Sequence, residues 1–380
     1  MNSDSDIYYS SLDTPAILVD LDKLDSNISQ MAEMTAKSGL KLRPNTKVHK
    51  SSYIADLQIK SGAIGLCVSK PSEAAAFAAA GFTNIMITHP FVGPHKLELL
   101  ASLAGKIQIS CVVDSVYGAQ AIAGVGKLLD TDIPVLLKIN SNCNRFGVMP
   151  GQPAIDLADI LIQIQGIRLV GILTHESSSS LSSPSDIQTL AYETAFQMNS
   201  TAKSLKTNGI ELTDVILGST PTARDLCRYA EEFPEITEIH PGAYVFGDVM
   251  YMNALATRES SCAATVLSTV VSIPNENRAC IDGGYKTFGA DPLLFLSERT
   301  GMKPRFGIVK GRPELEITRL TEEIGILSLN NPNVKLGIGD RIEVIPNHVS
   351  LSVNLHDKMY GVRNGELELE IPVTCRGMDT

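Results

Sequence analysis

What this sequence lacks narrows its function early. There is no basic surplus, since 32 lysines and arginines stand against 42 acidic residues for a formal net charge of −10. No cationic face is therefore available for a phosphate backbone or an anionic bilayer, and neither nucleic acid nor membrane is an expected partner. No run reaches the roughly 18 uninterrupted apolar residues that a membrane span requires. The opening MNSDSDIYYSSLDTP has neither the basic nor the apolar region of a secretory signal, so the expectation is a soluble, cytoplasmic protein. The seven cysteines (67, 111, 143, 227, 262, 280 and 375) are odd in number, scattered and free of any C-x-x-C pair. That pattern fits reduced thiols packed as small hydrophobes, and argues against a disulfide framework or a structural zinc site. Low-complexity stretches and short internal repeats are also missing.

What is present is a long alternation. In 380 residues with 44% hydrophobic content there is material for a sizeable core. Between about residues 20 and 250, eight short apolar runs ending in polar residues read as strands: LKLRPNTK, GAIGLCVSK, NIMITHP, IQISCVVDS, IPVLLKINS, IRLVGILTH, LTDVILGS and TEIHPGAYVF. Helix-like segments separate them, several closed by glycine. Near-continuous apolar strands alternating with helices indicate a parallel sheet covered on its faces, and eight units predict closure into a (β/α)8 TIM barrel; an open doubly wound sheet is the alternative. Beyond about residue 255 the runs AATVLSTVVSI, ELEITRLTEEIGIL, DRIEVIPNHVSLSVNL and GELELEIPVT alternate apolar with polar residues, as an antiparallel β domain does. The expected division is a barrel over 20–255 and a β domain over 256–380 together with residues 1–19. The segment LDTPAILVDLDKL is expected to pack near the barrel or to start its first helix.

Barrels of this kind carry their reactive groups at the C-terminal ends of the strands. Here those ends are Lys47 and His49 on the first strand, His89 on the third, Asn142 and Arg145 near the fifth, and His175 on the sixth. The seventh ends in Gly218, Ser219 and Thr220, and the eighth in His240, Gly242 and Tyr244. Singly, each has a plain reading as a solvated charge or a hydrogen-bonded structural residue. Together they converge. The GSTPT turn runs into a helix and offers backbone N–H groups and hydroxyls to an anion, and the loops after strands seven and eight of such barrels commonly bind phosphate. Phosphate on one side and an amine on strand one suggest a phosphorylated aldehyde held as a Schiff base, with pyridoxal phosphate the obvious candidate.

The motifs LDTPAILVDLDKLDSNISQM, LRPNTKVHKS, NRFGV, LTHESS, ILGSTPT, EIHPGAYVFGD and PNHVSLSVNLHD, in order over nearly the whole chain, resemble the D-threonine aldolase, D-3-hydroxyaspartate aldolase and D-serine dehydratase group. The resemblance implies the alanine-racemase-like, fold-type III architecture, pyridoxal phosphate as cofactor, a D-3-hydroxy amino acid as substrate, and a homodimer. It makes Lys47 the cofactor-binding lysine and Lys50 auxiliary. Arg145 falls where the group turns a cation to the pyridine nitrogen, which keeps that nitrogen unprotonated. His175 matches a histidine beside the substrate, with His49 sharing its role or holding the cofactor; Gly218, Ser219, Thr220, Gly242 and Tyr244 complete the cofactor site.

The resemblance also brings a divalent metal (Mn, Mg or Zn), held by a histidine and, two residues later, an aspartate or cysteine. This chain keeps His348 but has Ser350 at the second position, and a neutral hydroxyl is a far weaker ligand than a carboxylate or thiolate. Three outcomes stay open: no metal, weak binding completed by water and substrate, or replacement of the missing ligand by Asp357 or another carboxylate. Weak or absent metal is the expectation. Asn45 stands where the motif has a histidine, and Ser179 lies in a stretch that replaces part of a glycine-containing turn, so substrate scope is less constrained than the cofactor. An aldolase would use His175 to take the β-hydroxyl proton as Cα–Cβ breaks, giving glycine and an aldehyde. A dehydratase would use Lys47 to take the α-proton as the β-hydroxyl leaves. The rival readings are a metal-free amino-acid racemase and a non-catalytic pyridoxal-phosphate carrier.

Overall fold

A computed structural model describes residues 12–141, 145–176, 183–293, 305–329 and 334–380. Asn142 and Ser179 lie outside them. The described chain divides into two compact units, one of 29–47, Ile54–Gly242 and Gly377–Thr380, the other of 12–28, Val48–Tyr53 and Ala243–Arg376. No helix among the described residues is long and apolar enough to cross a membrane.

The chain opens with β1 (Ala16–Asp20), α1 (Leu21–Ser38), β2 (Lys41–Leu42), α2 (Ser52–Lys60), β3 (Leu66–Val68), α3 (Pro71–Ala79), β4 (Asn84–Ile87) and α4 (Pro94–Leu103). There follow β5 (Gln108–Val113), α5 (Val116–Leu128), β6 (Ile133–Lys138), α6 (Gln152–Leu161), β7 (Ile167–Leu173), α7 (Pro184–Thr207), β8 (Asp214–Leu217), α8 (Ala223–Arg228) and β9 (Glu238–Ile239). Proline in the first turn of α3, α4, α6 and α7 suits a position whose N–H has no helical partner.

In the first unit, strands β2 to β9 pair in parallel in the order β2-β9-β8-β7-β6-β5-β4-β3. The ring closes where Ile64 N–H donates to the Leu42 carbonyl and Cys67 N–H to the Pro44 carbonyl, each at 2.9 Å. The eight strands match the eight apolar runs, and the barrel reading stands over the open sheet. Met86, Val112, Leu136, Val170, Leu173 and Ile216, from five successive strands, form one buried cluster.

A buried polar chain crosses the same closure. Arg43 Nε donates to Glu238 Oε1 at 2.6 Å, His240 Nε2 lies 2.5 Å from that oxygen, and His240 Nδ1 is 2.9 Å from Cys67 Sγ. It thus links residues at β2, β9 and β3. Burial pushes the Glu238 carboxyl up, but His240 and Arg43 outweigh it and hold the group at about 2.

In the second unit, β10 (Ala264–Asn275), β11 (Arg278–Ile281), β12 (Ile308–Val309), β13 (Leu315–Leu320), β14 (Gly325–Leu329), β15 (Arg341–Ile345), β16 (Lys358–Arg363) and β17 (Glu366–Pro372) join β1 in a nine-stranded, mostly antiparallel sheet. LDTPAILVDLDKL is more than a lead-in to the first helix. Its Ala16–Val19 are all buried and form an inner strand, antiparallel to β10 and parallel to β16. It starts the helix as well, for Asp20 Oδ1 accepts the Lys23 N–H at 3.1 Å.

Glu238→Gln should destabilise the protein by about 3 kcal/mol at pH 7 in urea unfolding, because the carboxylate is favoured by more than two pK steps of its ordinary value. Its folded pKa is depressed, so this contribution is complete above the ordinary carboxylate value of 4.5 and is lost as pH falls toward about 2. Wild type and variant should converge there.

Candidate active site

The C-terminal ends of the barrel strands surround a cavity lined by Lys47, His89, Lys138, Arg145, Thr174 and His175, among others. Lys47 sits in the 3-10 turn Thr46–Val48, separated from the end of β2 by three residues. The turn is pinned on both sides: Thr46 Oγ1 donates to the Cys67 carbonyl at 3.0 Å, and Lys47 N–H donates to Asn45 Oδ1 at 3.2 Å. Asn45, unusual for the motif, thus has a local task in fixing the lysine backbone.

Positive charge dominates the electrostatics. Burial lowers the Lys47 pKa, the Arg145 guanidinium lowers it further, and Glu73 opposes them. His89, at the end of β4, is held at about 3 by burial and by Lys47, Arg145, Lys138 and Lys70, and its Nδ1 is buried without a hydrogen-bond partner. Phe146 organises these groups: Arg145 lies 4.5 Å and Lys138 Nζ 5.5 Å from its ring centroid, and the His89 ring 5.3 Å.

His175, just past β7, has Nδ1 2.9 Å from the Gly218 carbonyl oxygen. A carbonyl can only accept, so Nδ1 carries the hydrogen and Nε2 is the basic nitrogen of the neutral ring. Burial, then Lys47 and Lys138, hold the imidazole well below its usual range.

The loops after β8 and β9 meet. Gly218 adopts φ +111°, and a Cβ there would come within 3.2 Å of Ile239 Cβ and 3.3 Å of Leu226 Cδ1, so the turn needs glycine. Ser219 N–H donates to Thr222 Oγ1 at 3.0 Å, and Gly242 N–H donates to Thr220 Oγ1 at 3.3 Å. Ser219 and Thr220 are buried.

Of the residues singled out from sequence, Lys47, Arg145, His175, Gly218, Ser219, Thr220 and Gly242 all belong to the barrel unit, whereas His49, Tyr244, His348, Ser350 and Asp357 belong to the other. His49 is fully buried and its Nδ1 accepts the Ser51 N–H at 3.0 Å. Tyr244 is buried in the 3-10 turn Ala243–Val245. Sequence reading gave Lys138 and Glu176 no role, included Thr222 only within the GSTPT turn, and left His89 as a bare strand end. The available signal was a lysine closing the apolar run IPVLLK, which a packed strand tolerates only where it opens onto a cavity.

The donors for a metal do not fit. His348 caps the helix Val349–Asn354, its Nδ1 3.2 Å from Asp291 Oδ2. Ser350, in that helix's first turn, adds only a neutral hydroxyl, and Asp357 is engaged by Arg376 Nε. Among the described residues no three His, Cys, Asp or Glu side chains gather as a metal site.

Residues 19–249 match the family model of the alanine racemase N-terminal domain, and residues 263–362 match that of the putative serine dehydratase domain. The chain belongs to this family of alanine-racemase-fold proteins with a serine-dehydratase-type second domain. It is 32% identical to D-threo-3-hydroxyaspartate dehydratase of Delftia sp. (strain HT23), over 89% of this chain and 91% of that one. Among solved structures it is similar to D-threonine aldolase from Filomicrobium marinum, with a TM-score of 0.87 and 29% identity over 97% of both chains. It is likewise similar to a cysteine-to-alanine mutant of D-threo-3-hydroxyaspartate dehydratase in the metal-free form, with a TM-score of 0.85 and 29% identity over 95% of this chain and 97% of that one.

Ser350→Asp should raise the affinity for Mn²⁺ about tenfold or more in calorimetric titration, by adding a carboxylate two residues from His348. Unchanged affinity would mean that the serine belongs to a differently built pocket.

Proposed function

We propose that this protein is a pyridoxal-phosphate-dependent lyase acting on D-3-hydroxy amino acids, by retro-aldol cleavage or by elimination of the β-hydroxyl, and that it works as a cytosolic homodimer. The observation that carries the reading is the cavity of Lys47: a lysine driven toward its neutral form shares it with two further cations, Lys138 and Arg145, and a neutral imidazole, in a chain similar over nearly its full length to lyases of both kinds. That similarity supports a lyase over a racemase or a carrier.

The cavity fits the cofactor. An amine with a depressed pKa is a ready nucleophile toward an aldehyde, and a cavity carrying Lys47, Lys138 and Arg145 is suited to an anionic guest. Pyridoxal phosphate, when bound, supplies a conjugated ring that accepts the electrons released at Cα. Lys47 would hold it covalently, Ser219, Thr220 and Gly242 would cradle its phosphate, and Arg145 would face the ring nitrogen and keep it unprotonated, which weakens the sink and shifts work to the protein's own acids and bases.

His175 Nε2 is the base for the β-hydroxyl proton in cleavage. Its ring is held in that role by the bond from Nδ1 to Gly218, and burial, together with the surrounding cations, keeps it neutral at physiological pH. The freed amine of Lys47 takes the α-proton in elimination. No step is assigned to a metal, because among the described residues His348 has the Asp291 carboxylate beside it but no third His, Cys, Asp or Glu gathers there.

The reading is tested by incubating the cofactor-loaded protein with D-threonine, D-serine and D-threo-3-hydroxyaspartate, with EDTA or added Mn²⁺, and assaying glycine plus aldehyde against keto acid plus ammonia. One of the two product pairs is expected, and neither under any condition would overturn the lyase reading. Lys47→Ala should abolish both the visible absorbance of the bound cofactor and turnover. His175→Asn should keep the absorbance but lower kcat for cleavage by roughly 10²- to 10⁴-fold, the usual contribution of general acid–base catalysis.

A further inference from the structure

Glu176 follows His175 at the end of β7 and is completely buried. Its Oε2 accepts one long hydrogen bond, 3.4 Å from Thr222 Oγ1, and its Oε1 has no partner at all. Thr222 Oγ1 meanwhile accepts the Ser219 N–H at 3.0 Å and lies 2.9 Å from Ser219 Oγ. The Thr222 hydroxyl therefore joins this carboxyl to the turn that the proposed function gives to the cofactor's phosphate, and the Gly218 N–H of the same turn acts on it as well.

A buried carboxylate with so few donors is costly. Burial raises the Glu176 pKa to about 7, against the backbone N–H groups of Glu176 and Gly218, the Thr222 hydroxyl and the Lys138 cation on β6. Its neighbour His175 is uncharged at neutral pH. If Glu176 is ionised, a negative charge stands directly behind the turn and the Thr222 hydroxyl hydrogen is drawn to it. If Glu176 is neutral, that charge is gone and the same hydrogen can turn to its second acceptor, the Ser219 carbonyl oxygen at 3.3 Å.

We propose that Glu176 is a positioning residue that must carry a proton for the Gly218–Thr222 turn to hold a phosphate dianion, so that affinity for the phosphorylated cofactor falls as Glu176 ionises. The inference rests on the pyridoxal-phosphate reading. Reciprocity requires that phosphate binding raise the proton affinity of Glu176 in turn. The loss of affinity then runs from the pKa of the free protein, near 7, upward to that of the bound one, at up to about tenfold per pH unit.

The test is equilibrium dialysis of the cofactor-depleted full-length protein against pyridoxal phosphate and against pyridoxal, at pH 6.5 and 8.5, for wild type, Glu176→Gln and Glu176→Met. Ionisations of the cofactor and of Lys47 are common to all three proteins, so the difference in slope isolates residue 176. The wild-type Kd for pyridoxal phosphate should rise about tenfold more across this range than that of either neutral variant, whereas pyridoxal should show equal slopes in all three. Equal slopes for pyridoxal phosphate would overturn the inference alone, as would an equal excess with pyridoxal, which would trace the effect to the amine. Absence of pyridoxal-phosphate binding by wild type at both pH values would overturn the cofactor reading and this inference with it.

Discussion

Lys47, Lys138 and Arg145 share one cavity at the C-terminal ends of the barrel strands, and each cation makes the next protonation there more costly. For Lys47, His89 and His175 burial is the larger cause, and the neighbouring cations add to it. Three groups of the cavity feel the consequences: the Lys47 amine is pushed toward its nucleophilic form, and His89 and His175 stay neutral. A site so loaded with positive charge is relieved by an anionic guest that also consumes an amine. A phosphorylated aldehyde does both.

The same low dielectric has the opposite result at the barrel closure, where charges come paired. Arg43, Glu238 and His240 are all buried, yet Glu238 is held ionised because each of its oxygens finds a donor. Glu176, with one oxygen unpartnered, is driven toward the neutral acid instead. Two buried glutamates on neighbouring parts of one barrel are separated in behaviour by the donors each one meets.

Much of this was legible in the sequence because a parallel barrel sends its chemistry to the strand ends, and NTK, LTH, LGST and HPG are read off in order once the apolar runs are marked. What stayed hidden depends on geometry that spacing does not encode. Lys138 looks like the tail of a strand until Phe146 and Arg145 are seen beside it. Glu176 and Thr222 are 46 residues apart and joined only by the folding of β7 against β8. The partner of His348 is Asp291, 57 residues away, so the motif PNHVS alone shows what was lost at Ser350 but not what the histidine holds instead. Lys47 and His49 sit two residues apart in one motif, yet the first belongs to the barrel unit and the second to the other.

The most direct test of the central claim is to identify the lysine that carries the cofactor. Protein incubated with pyridoxal phosphate, reduced with borohydride, digested and mapped by mass spectrometry should bear the phosphopyridoxyl group on Lys47. Attachment to Lys138 or Lys50 instead would contradict the account, because burial and the neighbouring cations would then not select Lys47 as the nucleophile.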